Sequence, residues 1–272
     1  MKKLPYIAIA VGLLLLLVVV TCTRPSNEQN VKEDVSLIIR QDAGDSTLSV
    51  FREGETNPIV VQNAKPDFRP FLHPIAAPDG KGVLTEYSPG HHKHQTGLYW
   101  GFTRVNGRDY FHHPQGDYWQ RVAVNVLEAK GAEVKWQTVY NMLDEKGAAI
   151  MTETQTWSVR ETDGKFFLTL EWHGEAKTDI TIGKYDYGGL FLRMPWKEGI
   201  KGEVVNAARE KNEKAEGKRA MWVDVAMQVE GRDDLAHVAI FDHPKNNGYP
   251  SRGASMVSWE SVRHAHVKRT GK

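Results

Sequence analysis

The chain has 272 residues, with 35 Lys and Arg against 34 Asp and Glu for a formal net charge of +1. So even a balance gives no overall field to draw nucleic acid or an acidic polymer, and neither is expected as a partner. The length suits one large domain, a size that all-β domains often reach undivided. Eight Trp serve either as core or as contacts for ring-shaped ligands.

Residues 1–22, MKKLPYIAIAVGLLLLLVVVTC, set two Lys before an apolar run and a Cys after it. That order is the order of an export signal. Read instead as an anchor, the run from Leu4 to Val20 stands at the short limit for spanning a bilayer. VVTC is similar to a bacterial lipobox, which makes Cys22 the lipidation site, although Thr21 stands where Gly, Ala or Ser is usual. Cys22 is the sole Cys, so no internal disulfide can form and stability must come from the core. Residues 23–34, TRPSNEQNVKED, read as a flexible tether. The expectation is an exported lipoprotein of the bacterial cell envelope or periplasm, touching the membrane through its lipid alone, with residues 35–272 as a single domain.

From residue 35 the pattern is strand after strand. VSLIIRQ, STLSVFRE and NPIVVQN are short β-rich runs separated by turn-forming residues. Residues 121–176 then hold four strand-length stretches joined by EAKG, DEKG and ETDG, each with Gly where a hairpin needs positive φ, which predicts an antiparallel meander. Within its last strand Phe166, Leu168, Leu170 and Trp172 share one parity, the core face. Phe167, Thr169, Glu171 and His173 share the other, which faces solvent or lines a groove. VVNAAREKNEKAEGKRAMWVDV has helical composition but no apolar stripe, and reads as an exposed excursion between strands. The fold class is all-β, a large antiparallel β-sandwich with few or no helices outside the signal segment.

Seven of the eleven His fall in tight groups: His73; His91, His92 and His94; His112 and His113; and His243. Pro directly follows His73, His113 and His243, stiffening the backbone and presenting each ring from a defined loop or strand end. In an extended segment His92 and His94 point to one side. That spacing can chelate a divalent transition metal if another strand supplies a third ligand, although HQTGLYWGF adds no acid. The alternative is metal-free general acid–base chemistry among His92, His94, His73 and His113, with Tyr99 and Trp100 as aromatic walls for a sugar ring and Tyr118 and Trp119 as further candidates. In KYDYGGLFLRMPW, Gly188 and Gly189 suggest a bulge or close backbone approach, with the polar tips of Tyr185, Tyr187 and Arg193 around it and Tyr187 and Arg193 as the residues that orient substrate; tyrosine can also transfer protons. The same stretch fits a glycine turn with a buried arginine ion pair. His243 and Asn247, in FDHPKNNGYP, complete the candidate binding residues.

Three stretches together, RPFLHPIAAPDGKGVLTEYSPGHHKHQTGLYWGFTRVNGRDYF, YGGLFLRMPW and GKRAMWVDV followed by AIFDHPKNNGYP, resemble the bacterial PmoA-type proteins, a family that carries the label methane oxygenase. The resemblance covers most of residues 66–250. It implies an exported β-sandwich of sugar-degrading bacteria, similar to mutarotase-like supersandwich folds in which a His and a carboxylate work on a sugar. Three functions follow as expectations: a carbohydrate-active enzyme using His acid–base or metal-assisted chemistry, a non-catalytic glycan-binding lipoprotein, or, as the family label implies, a metal-dependent oxygenase. Residues 251–272, SRGASMVSWESVRHAHVKRTGK, depart from the family pattern, in which an aromatic and arginine-bearing segment and further strands follow, and read as a truncated or frame-shifted tail.

Overall fold

The structure, a computed structural model, describes residues 35–253 except 43, 45, 91, 186, 187 and 198. The expectations for the leader, Cys22, the tether, His91, Tyr187 and most of the tail lie outside the described residues. In chain order the strands are β1 (Leu37–Gln41), β2 (Thr47–Arg52), β3 (Val60–Asn63), β4 (Phe71–Ile75), β5 (Leu98–Gly101), β6 (Trp119–Glu128), β7 (Lys130–Gly131) and β8 (Glu133–Leu143). They continue with β9 (Ala149–Thr162), β10 (Lys165–Ala176), β11 (Gly189–Leu192), β12 (Gly202–Asn206), β13 (Lys218–Arg219), β14 (Trp222–Gln228), β15 (Leu235–Phe241) and β16 (Arg252–Gly253). The described residues contain no α-helix, only a 3-10 turn at Asn212–Lys214, so the charged stretch of helical composition is an excursion between β12 and β13.

Every pairing is antiparallel. A seven-stranded sheet runs β11-β5-β4-β3-β2-β1-β7, a four-stranded sheet β10-β9-β8-β6 and a three-stranded sheet β12-β14-β15, with β13 and β16 as a separate ribbon. The four-stranded sheet is the meander expected from the sequence. Its tightest hairpin turns on Asp163 and Gly164 at φ 51° and 66°, the two positive angles of a type I′ turn that matches strand twist. The EAKG link does more than turn, because Lys130 and Gly131 leave the meander as β7 to pair with β1.

Alternation places one face of each strand in a shared core. Leu37, Leu48, Val50, Val60, Leu72 and Leu98 of the large sheet meet Val134, Trp136, Trp157 and Val159 of the meander, while Val229, Ala236 and Val238 join from the region of the small sheet. Two sheets packed face to face across these side chains make the sandwich. Polar ties cross the same gap: buried Gln62 accepts from Trp136 Nε1 at 3.0 Å, and Arg52 reaches Glu161 at 2.7 Å.

The faces of β4, β5 and β11 turned away from that core are also aromatic. Register sets Phe71 and Phe191 on either side of Tyr99, while Leu72, Leu98, Leu190 and Leu192, of opposite parity, face the sandwich core. The sheet therefore has a second, smaller apolar layer on its outside, made of Phe71, Tyr99 and Phe111 with Phe68 and Phe191 packed against it. Two long connections, residues 76–97 and 102–118, cover this layer and carry His92, His94, His112 and His113.

Candidate functional site

Gly97 lets the first connection lie against β4. Its φ is +85°, and a Cβ there would stand 2.3 Å from the Leu72 carbonyl oxygen and 2.9 Å from the His73 Cβ, so no larger residue fits. The second connection is anchored by Asp109, whose Oδ1 accepts from the backbone N–H groups of Phe111 and His112 at 3.0 Å each. Its Oδ2 accepts from His112 Nδ1 at 2.7 Å.

These two anchors bring three imidazoles together. The His94 ring lies 5.8 Å from His92 and 4.6 Å from His112, and its edge meets Phe111 at 4.9 Å. Burial pushes the His94 pKa down to about 4, with His112, His92 and Arg69 adding in the same direction and Asp109 opposing. His94 is thus a neutral imidazole at physiological pH. Burial raises the Asp109 pKa, but hydrogen bonds from His112 outweigh it and hold the carboxylate below its ordinary range. A carboxylate on Nδ1 orients the His112 ring and turns Nε2 to the opposite side, the arrangement general acid–base catalysis requires.

Arg69, fully buried, joins the two connections. Nη1 donates to the Phe111 carbonyl at 2.7 Å and Nη2 to the His94 carbonyl at 2.6 Å, while the guanidinium stacks on Tyr99 at 3.9 Å. Burial lowers its pKa to about 10, leaving it charged. One planar cation therefore fixes the backbone of both histidine-bearing segments. Arg69 was not singled out by the sequence; its parity with Phe71 and His73 on β4 was the available signal.

His73 lies along the same outer face. Its Nδ1 is 2.9 Å from Thr85 Oγ1, its ring stacks on Tyr87 at 5.9 Å, and Tyr87 in turn stacks on Phe71 at 5.4 Å. Burial lowers the His73 pKa against the pull of Glu86. Tyr87 is 44% exposed, an aromatic surface open to solvent beside the imidazoles. Arg193 forms the mostly buried ion pair that its stretch also allowed, Nε to Glu86 at 2.8 Å, with Nη1 donating to Gln95 at 3.2 Å.

The remaining expected residues lie elsewhere. His112, not His113, joins the cluster; His113 is exposed and stacks on Tyr118 at 4.7 Å. Asp-x-x-His was the signal that separates the two neighbours. Tyr99 underlies the site as its buried floor, whereas Trp100 points to the opposite face of β5 and stacks on Trp172 at 5.0 Å. His243 accepts from the Lys245 N–H at 3.2 Å in an exposed loop that also carries Asn247. Among the described residues, no group of three or more His, Cys, Asp or Glu is placed to hold a metal ion.

A second polar group sits inside the sandwich. Glu153, fully buried on β9, accepts from Gln155 Nε2 and from Trp172 Nε1 at 2.7 Å each, and Gln155 Oε1 accepts from Trp157 Nε1 at 3.1 Å. Burial raises its pKa to about 7, against the lowering effect of these donors and of Arg69.

No curated protein and no solved structure matches the chain. A family model does, over residues 46–265, a span that contains both histidine-bearing connections and all three large sheets except β1, and on that match the chain belongs to DUF6807, a family of unknown function.

Proposed function

We propose that the outer face of β4, β5 and β11 binds a carbohydrate and acts on it by general acid–base chemistry. The observation that carries this reading is the convergence of His92, His94 and His112 from two separate connections, with one ring neutral and another held by Asp109. Neutral His94 accepts a proton from a sugar hydroxyl while a second imidazole, entering the step protonated, donates one to a neighbouring oxygen; the low proton affinity of His94 then passes its proton back to the second ring, directly or through solvent, and restores the starting state. Tyr87 supports the choice of a ring-shaped substrate, since an exposed aromatic face stacks on a pyranose while the imidazoles reach its hydroxyls. The expected export signal and lipidation of Cys22 put such a protein at the cell envelope, where oligosaccharides are met.

The resemblance to PmoA-type proteins supports a second reading, a metal-dependent oxygenase, for which His92 and His94 would need a further ligand. One experiment separates the readings. The purified full chain is incubated with a panel of oligosaccharides, products are identified by mass spectrometry, and metal content is measured on the same sample. Acid–base action predicts product formation that is abolished by replacing His94 and His112 with Ala, with the circular dichroism spectrum unchanged. Saturable binding without product would favour a glycan-binding lipoprotein, and stoichiometric copper or iron the oxygenase.

A further inference from the structure

The meander ends in an edge of unusual length. β10 pairs with β9 over twelve residues without a register shift, and among the described residues no strand borders its other side. The opposite edge strand, β6, is broken by shifts at Arg121/Ala123 and Val126/Glu128, irregularities of the kind that protect an edge from pairing. β10 has no such interruption and no Pro. Its inward side chains also differ from those of its neighbours: Val134, Trp136 and Val159 are sealed at 0% exposure, but Phe166, Leu168 and Leu170 stay half-buried against the core. Phe167 on the solvent face is 41% exposed.

We propose that this edge is the interface of a homodimer, in which a second copy adds its own β10 antiparallel about a twofold axis at Thr169 and continues the four-stranded sheet across both subunits. The sequence of β10 is complementary to itself in that register. On the solvent face Thr169 meets Thr169 of the partner subunit, Phe167 meets Glu171 of the partner subunit, and Lys165 meets His173 of the partner subunit with Glu171 of the partner subunit and Glu175 of the partner subunit on its two diagonals, while Glu175 falls opposite Asp163 of the partner subunit, which lies in the hairpin turn beyond the end of β10. On the core face Phe166 meets Trp172 of the partner subunit and Leu168 meets Leu170 of the partner subunit, covering the apolar side chains that the open edge leaves wet. Main-chain hydrogen bonds supply the affinity and these pairs the register.

Sedimentation of the full chain in detergent over a wide concentration range should show a monomer–dimer equilibrium. Thr169→Glu sets two carboxylates opposite each other and should weaken the dimer by at least about tenfold, as should Lys165→Glu. Adding Glu171→Lys and Glu175→Lys to Lys165→Glu should restore it, which a change in folding alone would not. Thr169→Cys should form a covalent dimer on mild oxidation, with the unsubstituted chain as the control for Cys22. A monomer at every concentration, a dimer indifferent to Thr169→Glu, or protection from exchange, in a monomer, of the β10 amides that point away from β9 would each overturn the proposal.

Discussion

Tyr99 and Trp100 are neighbours in the chain, yet β5 points them at two different polar groups. Tyr99 underlies an imidazole cluster gathered from connections on the outside of the large sheet; Trp100 stacks on Trp172, which donates to Glu153 inside the sandwich. The outer group is half-open and contains a carboxylate, Asp109, held ionised by its hydrogen bonds. The inner group is sealed and contains a carboxyl driven toward its neutral form by burial. Similar side chains in the two places therefore have opposite electrostatic settings: the outer ones are half-open, as the proposed proton exchange with a ligand needs, and the inner ones are closed off from solvent. That contrast is the reason for assigning chemistry to His94 and His112 rather than to the strongly shifted Glu153.

The contrast can be broken most severely at Arg69. Replacing it with Ala leaves the carbonyls of Phe111 and His94 without their buried donor and opens a cavity against Tyr99, so denaturant unfolding should show a loss of about 3–4 kcal/mol. Arg69→Lys keeps the charge but not the planar fork, and should recover only part of it.

The pH dependence of stability sharpens the comparison, because the two groups pull in opposite directions. Folding raises the Glu153 pKa from 4.5 to about 7, so between those values the native state holds a proton that the unfolded chain has lost. Its contribution falls as pH rises through that window, by up to about 3 kcal/mol. His94 runs the other way. Its pKa falls from 6.5 to about 4 on folding, so its contribution is present above 6.5 and is lost as pH falls toward 4. Thermal unfolding across this range should show the alkaline slope vanish in Glu153→Gln and the acid slope vanish in His94→Ala. Glu153→Gln should also be less stable at pH 5, since its amide turns an N–H toward one of the two donors, Gln155 or Trp172.

Smaller stability effects, with large functional ones, are expected at the outer rings. His94→Ala and Asp109→Asn should reduce turnover by about 10²–10⁴-fold with unfolding shifted by no more than about 1 kcal/mol, checked by product formation alongside calorimetry. The smallest effect belongs to His113→Ala, which should leave stability within about 0.5 kcal/mol and ligand binding unchanged, as isothermal titration would report.

How much of this was legible beforehand follows the range of the interactions. The meander could be read because hairpin turns and two-residue alternation are local: Gly147 and Gly164 take the positive φ their turns demand, and Phe166, Leu168 and Leu170 face the core that their parity predicts. The choice of His112 over His113 was not readable from the doublet alone; its one local signal was Asp109 three residues before His112, and the hydrogen bonds to that carboxylate decide which ring joins the cluster. Trp100 and Tyr99 part company for a related reason, because successive residues of a strand face opposite sides of its sheet.

The sequence by itself determined that the chain is all-β, where the hairpins of the meander turn and which face of β10 is apolar, because backbone propensity and alternation act within a few residues. Tertiary structure alone decided that β4, β5 and β11 carry a second aromatic layer on their outer side and that His92, His94 and His112 meet there. That meeting depends on contacts between segments far apart in the chain, above all the guanidinium of Arg69 bonded to the backbones of both His94 and Phe111, and no local pattern encodes such a contact.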